Sequence, residues 1–207
     1  MGIVKEEEYV SQIKKGRKRK MGVNSKGKGK AGEYSIVNFL NKLSGHNFMK
    51  TPSSGAQVGA SNRDKLIKMT KGQVDVFLGD LICPEDTKFR WVIESKNYAN
   101  IPIHALLQEG KEAKQIFDFI EQLEYDVESL MNLKMEKREH LSFLFLKITR
   151  VGEYIIFNEK HWRDIIGVLK IGNYLKFEKK SAIETYGNKY IMTDCKEFLT
   201  LNKDLLF

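Results

Sequence analysis

Glu94, Ser95 and Lys96 carry the clearest chemical potential in the 207-residue chain. Side chains alternate across an extended strand, so Glu94 and Lys96 point to one face, two residues apart. Trp91, Val92 and Ile93 precede them, so an acid and a base end a strand otherwise suited to burial. Charges are seldom placed there without a partner or a metal. Asp80 lies 14 residues before Glu94. Between them C-P-E-D-T-K has the Pro and Asp of a turn, and the runs Val74–Ile82 and Phe89–Tyr98 on either side are strand-like. This predicts an antiparallel hairpin in which the two carboxylates meet. Two carboxylates together repel unless a hard divalent cation such as Mg²⁺ takes oxygen ligands from both. A lysine beside such a cation can orient or help deprotonate a water and offset phosphate charge in a transition state.

Further elements must hold this set in place. From Glu33 a helical period begins, with Ile36, Val37, Phe39, Leu40 and Leu43 apolar and Gly45 ending it. Glu33 stands three residues before Ile36 and four before Val37, on or beside that apolar face. Alone it reads as an amphipathic edge residue; beside the other three it reads as an acid aimed at the site. Thr51–Asn62 is a turn-rich loop. A long helical region follows from about His104 to Arg138, interrupted by a polar stretch. Leu141–Ile148 and Glu153–Phe157 are strands, His161–Leu169 suggests a short helix, and the last 35 residues alternate strand-like pieces with turns. The order predicts an α/β architecture with a mixed sheet. The expected organisation is a flexible basic arm at 1–30, a core at 31–160 and a C-terminal extension at 161–207 packed on the core.

Charge sharpens this division. Between Tyr9 and Gly32 lie nine basic residues, Lys18, Arg19 and Lys20 among them, and no acid. The rest of the chain holds 26 basic and 27 acidic residues, so the whole excess of +8 resides in the arm. That is the pattern of a polyanion-binding tail on a nearly neutral body, and it also fits a solvated leader that orders on phosphate. No run of about 18 apolar residues exists to span a membrane. The N-terminus lacks a secretory hydrophobic region, and Cys83 and Cys195 form no cysteine cluster, so the cytoplasm is expected. His46, His104, His140 and His161 are isolated and lack zinc-ligand spacing. There is no nucleotide-binding P-loop and no serine-hydrolase elbow, so no nucleotide cofactor is expected.

G-D-L-I-C-P-E-D followed by F-R-W-V-I-E-S-K-N-Y resembles the PD-(D/E)XK nuclease motif, in the form seen in Holliday-junction-resolvase-like endonucleases of phages and archaea. In that superfamily Pro usually precedes the first acid; here Gly79 precedes Asp80, as in many resolvase-like members. The resemblance spans about residues 30–157. It implies a restriction-endonuclease-like core, a mixed β-sheet flanked by helices. It assigns Asp80 and Glu94 as metal ligands, Lys96 as the catalytic lysine and Glu33 as the acid that completes the metal site. Asp75, 19 residues before Glu94, is a rival for the first acid; the Gly-Asp pair and the hairpin spacing favour Asp80.

The same resemblance sets Ser53 and Ser54 near the scissile phosphate, with an ordinary turn as an equal alternative. It makes Lys147 and Arg150 basic residues of a later strand beside the site, with solvated surface as the alternative. The implied activity is hydrolysis of branched DNA with Mg²⁺, replaceable by Mn²⁺, by a homodimer, in the host cytoplasm if the chain is phage-encoded. Two rivals stand: a restriction- or repair-type nuclease on linear duplex or single strands, and a non-catalytic DNA-binding protein on the same scaffold. The complete Asp80, Glu94 and Lys96 set weighs against the second.

Overall fold

Trp91–Ile93 and Leu141–Leu146 are apolar on both faces, the pattern of strands covered by helices on two sides. The computed structural model describes residues 25–52, 70–107, 113–133 and 137–207. Its first part runs α1 (Ser25–Ser44), β1 (Met49–Lys50), α2 (Lys71–Phe77), β2 (Leu81–Ile82), β3 (Arg90–Tyr98) and a 3₁₀ turn at Ile103–Leu107. Then follow α3 (Lys114–Leu133), β4 (His140–Ile148), β5 (Gly152–Asn158), α4 (Glu159–Ile166), β6 (Tyr174–Glu178), β7 (Lys189–Asp194), α5 (Cys195–Leu201) and α6 (Lys203–Leu206). Five strands form a mixed sheet in the order β3-β4-β5-β7-β6, so the α/β class with flanking helices holds. β3 and β4 are parallel, as a crossover through α3 requires, and the other pairs are antiparallel.

Alternation along β3 and β4 divides the core in two. Trp91, Ile93, Phe143 and Phe145 face α1, α4 and α5, where Ile36, Leu40, Trp162 and Phe198 close the layer. Val92, Leu144 and Leu146 face α3, where Ile116, Ile120, Leu123 and Val127 pack, with Val74 and Leu78 from the α2 segment. Each fully buried large side chain of this kind contributes about 1.5–3 kcal/mol by leaving water.

Three expectations change. The helix begins at Ser25 rather than Glu33, so the S-K-G-K-G-K run forms its first turns instead of a flexible arm end. Lys and Ala are strong helix formers, and Gly32 anchors the segment: a Cβ there would stand 3.0 Å from the Cβ of Asn97. The expected hairpin is also replaced. Val74–Phe77 is helical, because Thr70 and Gln73 make a reciprocal capping box and Val74 and Leu78 bury one helical face. β2 then pairs with β1, with Met49 opposite Ile82 and Lys50 opposite Leu81. Finally, residues 161–207 are woven into the core rather than laid upon it, since β7 hydrogen-bonds between β5 and β6. Glu124 of α3 fixes that region. It is buried, and it accepts from Lys179 Nζ at 3.1 Å, from Ser181 Oγ at 2.6 Å and from the Tyr190 hydroxyl.

His140 and His161, read as isolated, stack with ring centres 4.6 Å apart, and His161 stacks on Tyr186. Burial holds both rings neutral, with His161 pushed down to about 4. Among the described residues no helix is long and apolar enough to cross a membrane.

Candidate active site

β3 is an edge strand of the sheet, and its α3-facing side chains after Val92 are Glu94 and Lys96. Glu94 is only 2% exposed. Its carboxyl is pushed up to about 8 by burial first and by the nearby Asp80 second, with Lys96 pulling the other way. Lys96 Nζ donates to Glu94 Oε1 at 2.5 Å and to Gln122 Oε1 at 2.9 Å, and it lies 5.1 Å from the centre of the Phe119 ring. An ammonium with three such partners has little freedom left.

Asp80 arrives at this edge by a route other than a hairpin. α2 ends at Phe77 with an extended Leu78 as its C-cap, and Gly79 then adopts φ +74°, a left-handed turn that redirects the chain toward β3. The Asp80 N–H donates to the Ile93 carbonyl at 2.8 Å, and Asp80 Oδ2 accepts from the Ser95 N–H at 2.8 Å. The acid is thus latched to the residues on either side of Glu94. On the other side Thr51 secures the same turn, its hydroxyl donating to the Gly79 carbonyl at 3.1 Å and its N–H to the Asp80 carbonyl at 3.0 Å. Glycine is required at 79 twice over. A side chain there would be strained by the positive φ, and its Cβ would stand 3.0 Å from the Ile93 oxygen. Gly79→Ala is expected to destabilise the fold by about 1–3 kcal/mol, read from urea unfolding.

α3 supplies what the sequence reading missed. Phe119, Gln122 and Asp126 lie three and four residues apart, hence on one helical face, and that face meets the site. Burial together with Asp80 pushes the Asp126 carboxyl up to about 7. The signal available in the sequence was a Gln and an Asp one turn apart, flanking the buried Leu123 and Val127.

Other expected residues lie elsewhere. Glu33 is 7% exposed on α1, the helix packed on the Ile93 side of β3, and it pairs with Lys50 at 2.8 Å. Lys50 Nζ in turn donates to the Thr51 carbonyl, so Glu33 connects to the Asp80 turn through that lysine. Lys147 points to the α1 side as well, pairing with Glu153 at 2.5 Å and approaching Ser35 Oγ at 3.4 Å. Arg150 is exposed in the β4–β5 turn with φ 67°. Asp75 falls in α2, and its side chain, like Ser53, Ser54, Lys18, Arg19 and Lys20, lies outside the described residues.

Asp80, Glu94 and Asp126 interact electrostatically around the single ammonium of Lys96. Such a hard-oxygen, net-negative set suits a hard divalent cation. Among the described residues no three His, Cys, Asp or Glu side chains converge to hold an ion by themselves. A Mg²⁺ ion, which retains several waters and takes one or two carboxylates, fits that arrangement.

A mixed sheet whose edge strand ends in E-x-K, met there by an Asp from a preceding turn, defines a class, the PD-(D/E)XK nucleases. Residues 24–207 match the family described as "Phage putative PDDEXK endonuclease", and the chain belongs to that family. No curated protein and no solved structure matches it.

Proposed function

We propose that the protein is a Mg²⁺-dependent endodeoxyribonuclease whose working set is Asp80, Glu94 and Lys96. The observation that carries the reading is the latch between Asp80 Oδ2 and the Ser95 N–H, which sets the first acid beside Glu94 and Lys96 on an open sheet edge. Asp80 and Glu94 would hold the cation, which when bound supplies an acidified water and neutralises charge on the phosphate. The rest belongs to the chain. Asp80 is oriented by Ser95, and Lys96 is presented by Glu94 and Gln122. Lys96, held between Glu94 and Gln122, would offset charge on the scissile phosphate or steer the attacking water. Glu33 acts at one remove, through Lys50 and Thr51. Attraction to DNA comes from the basic arm, whose charge binds phosphate without regard to sequence and gives affinity a steep salt dependence.

The preferred substrate is branched DNA, cut by a homodimer in the cytoplasm; this finer reading rests on the resolvase-like form of G-D-L-I … E-S-K-N-Y. The test pairs a four-way junction with a linear duplex of the same sequence, each with Mg²⁺ or EDTA. Faster Mg²⁺-dependent incision of the junction is expected. Equal rates on both would leave a nuclease of linear DNA, and no cutting of either, with binding retained, would leave a DNA-binding protein on this scaffold.

A further inference from the structure

We propose that Tyr98 is a stacking platform for an unpaired nucleobase beside Lys96, so that the DNA this site takes is unpaired where it is cut. The inference rests on the nuclease reading for DNA as the ligand. It goes beyond that reading in naming what the site contacts besides phosphate.

Glu94, Lys96 and Tyr98 alternate onto one face of β3, the face turned to α3. Tyr98 ends that strand, one place beyond the lysine on this face and about 6.6 Å farther along the chain. The apolar core of this face stops at Val92; Tyr98 is half-buried, and Ala99 and Asn100 after it are exposed. Its ring is fixed before any ligand arrives. It stacks on Phe119 of α3, with ring centres 5.4 Å apart and planes 28° from parallel. Its main chain is in register with Ile148, and its carbonyl accepts from the Thr149 N–H at 2.9 Å. Phe119 also stands 5.1 Å from Lys96 Nζ, so the lysine and the tyrosine share one aromatic neighbour. A cation suited to phosphate and a ring suited to a base therefore lie side by side, the combination by which single strands are held. Every base has a π face, so such a platform reads no sequence. In a duplex those faces are covered by neighbouring base pairs, whereas at a branch point, a flap or a single strand they are open. The alternative is a ring that only completes the packing of β3 on α3. The two roles differ in what they require: a packing residue needs volume, whereas a platform needs an aromatic face.

The experiment compares Tyr98→Leu, which keeps an apolar side chain without a π face, with Tyr98→Phe, which keeps the face. Affinity of the full chain is measured by fluorescence anisotropy in EDTA, so that no metal-dependent cutting intervenes. The probes are a single-stranded oligonucleotide and an abasic strand of equal length and charge. The basic arm meets the same phosphates in both, so the ratio of the two affinities isolates the bases. Wild type should bind the base-bearing strand at least about fivefold tighter than the abasic one. Y98L should bring that ratio below about twofold, and Y98F should keep it. A wild-type ratio near one overturns the proposal, and so does a Y98L ratio equal to that of wild type. Loss of the ratio in Y98F also overturns it, since the hydroxyl and not the ring would then be what matters. If Y98L does not fold, wild type decides: a strand carrying 5-iododeoxyuridine is irradiated in the complex and the adduct mapped by mass spectrometry. An adduct on Tyr98 supports the proposal, and adducts confined to other residues overturn it. Binding is read whether or not DNA is cut. A wild type that discriminates between the two strands yet cuts no DNA with Mg²⁺ therefore defeats the nuclease reading and not the platform.

Discussion

Lys96→Ala should lower Mg²⁺-dependent DNA cleavage by about 10²–10⁴-fold, the range for losing one group that moves a proton or meets developing charge. The fold should survive the change. Lys96 is part-exposed at the end of β3, and the sheet is held by Trp91–Ile93 and their β4 partners rather than by the lysine. DNA affinity should hardly move, because the excess positive charge lies in the arm. The informative readout is therefore cleavage set beside binding by fluorescence anisotropy and a thermal melt. Lys96→Arg should not restore the rate. A guanidinium is planar and longer, and it cannot occupy the position fixed by Glu94, Gln122 and the Phe119 ring. Gln122→Ala should produce a milder loss, since it leaves the ammonium present but less constrained. Full cleavage by K96A would show that the catalytic set has been misassigned.

The strands were the legible part of this fold, because their residues are chosen by burial. Leu141–Leu146 and Ile155–Phe157 are buried nearly without exception, and period and apolarity place such runs from sequence. The Val74–Ile82 segment was not legible in the same way. Val74, Val76 and Leu78 alternate as a strand would, but Val74 and Leu78 are also one helical turn apart, and the Thr70–Gln73 capping box decides for the helix. The meeting of Asp80 with Glu94 was foreseen although the hairpin expected to produce it is absent. The spacing was right because the turn at Gly79 returns the chain to β3 as a hairpin would. Asp126 and Gln122 were illegible for a topological reason. They lie 32 and 28 residues beyond Glu94, and only the crossover that makes β3 and β4 parallel brings α3 over the site. A polar residue on the buried side of a helix becomes a candidate once it is known what that side covers.

The electrostatics of the site lead to the second large effect, on stability rather than rate. Without a cation, the folded chain holds Glu94 up to about 8 and Asp126 up to about 7, from ordinary values of 4.5 and 3.8, through burial and then Asp80. The unfolded chain releases these protons at lower pH. The folded state therefore binds more protons than the unfolded one between those limits, and stability must fall as pH rises. The contribution is complete below about pH 4 and is lost as pH climbs through the folded values. His161 works in the opposite direction. Its folded value of about 4 means that its contribution rises with pH, but only up to 6.5, and is constant above that. Between pH 6.5 and about 8 the carboxyls act without that offset. In EDTA the melting temperature should decline across this window, with a slope of at most about 1.4 kcal/mol per pH unit for each group. Millimolar Mg²⁺ should remove the decline, since a cation on Asp80 and Glu94 favours their charged forms and expels the proton. Glu94→Gln should reduce the decline even in EDTA and should abolish the response to Mg²⁺. A metal-free melting temperature that is flat from pH 6.5 to 8, or one equally raised by Mg²⁺ in E94Q, would show that these carboxylates are not the cation site. The comparison needs no DNA and no turnover, so it tests the metal site independently of the nuclease assay.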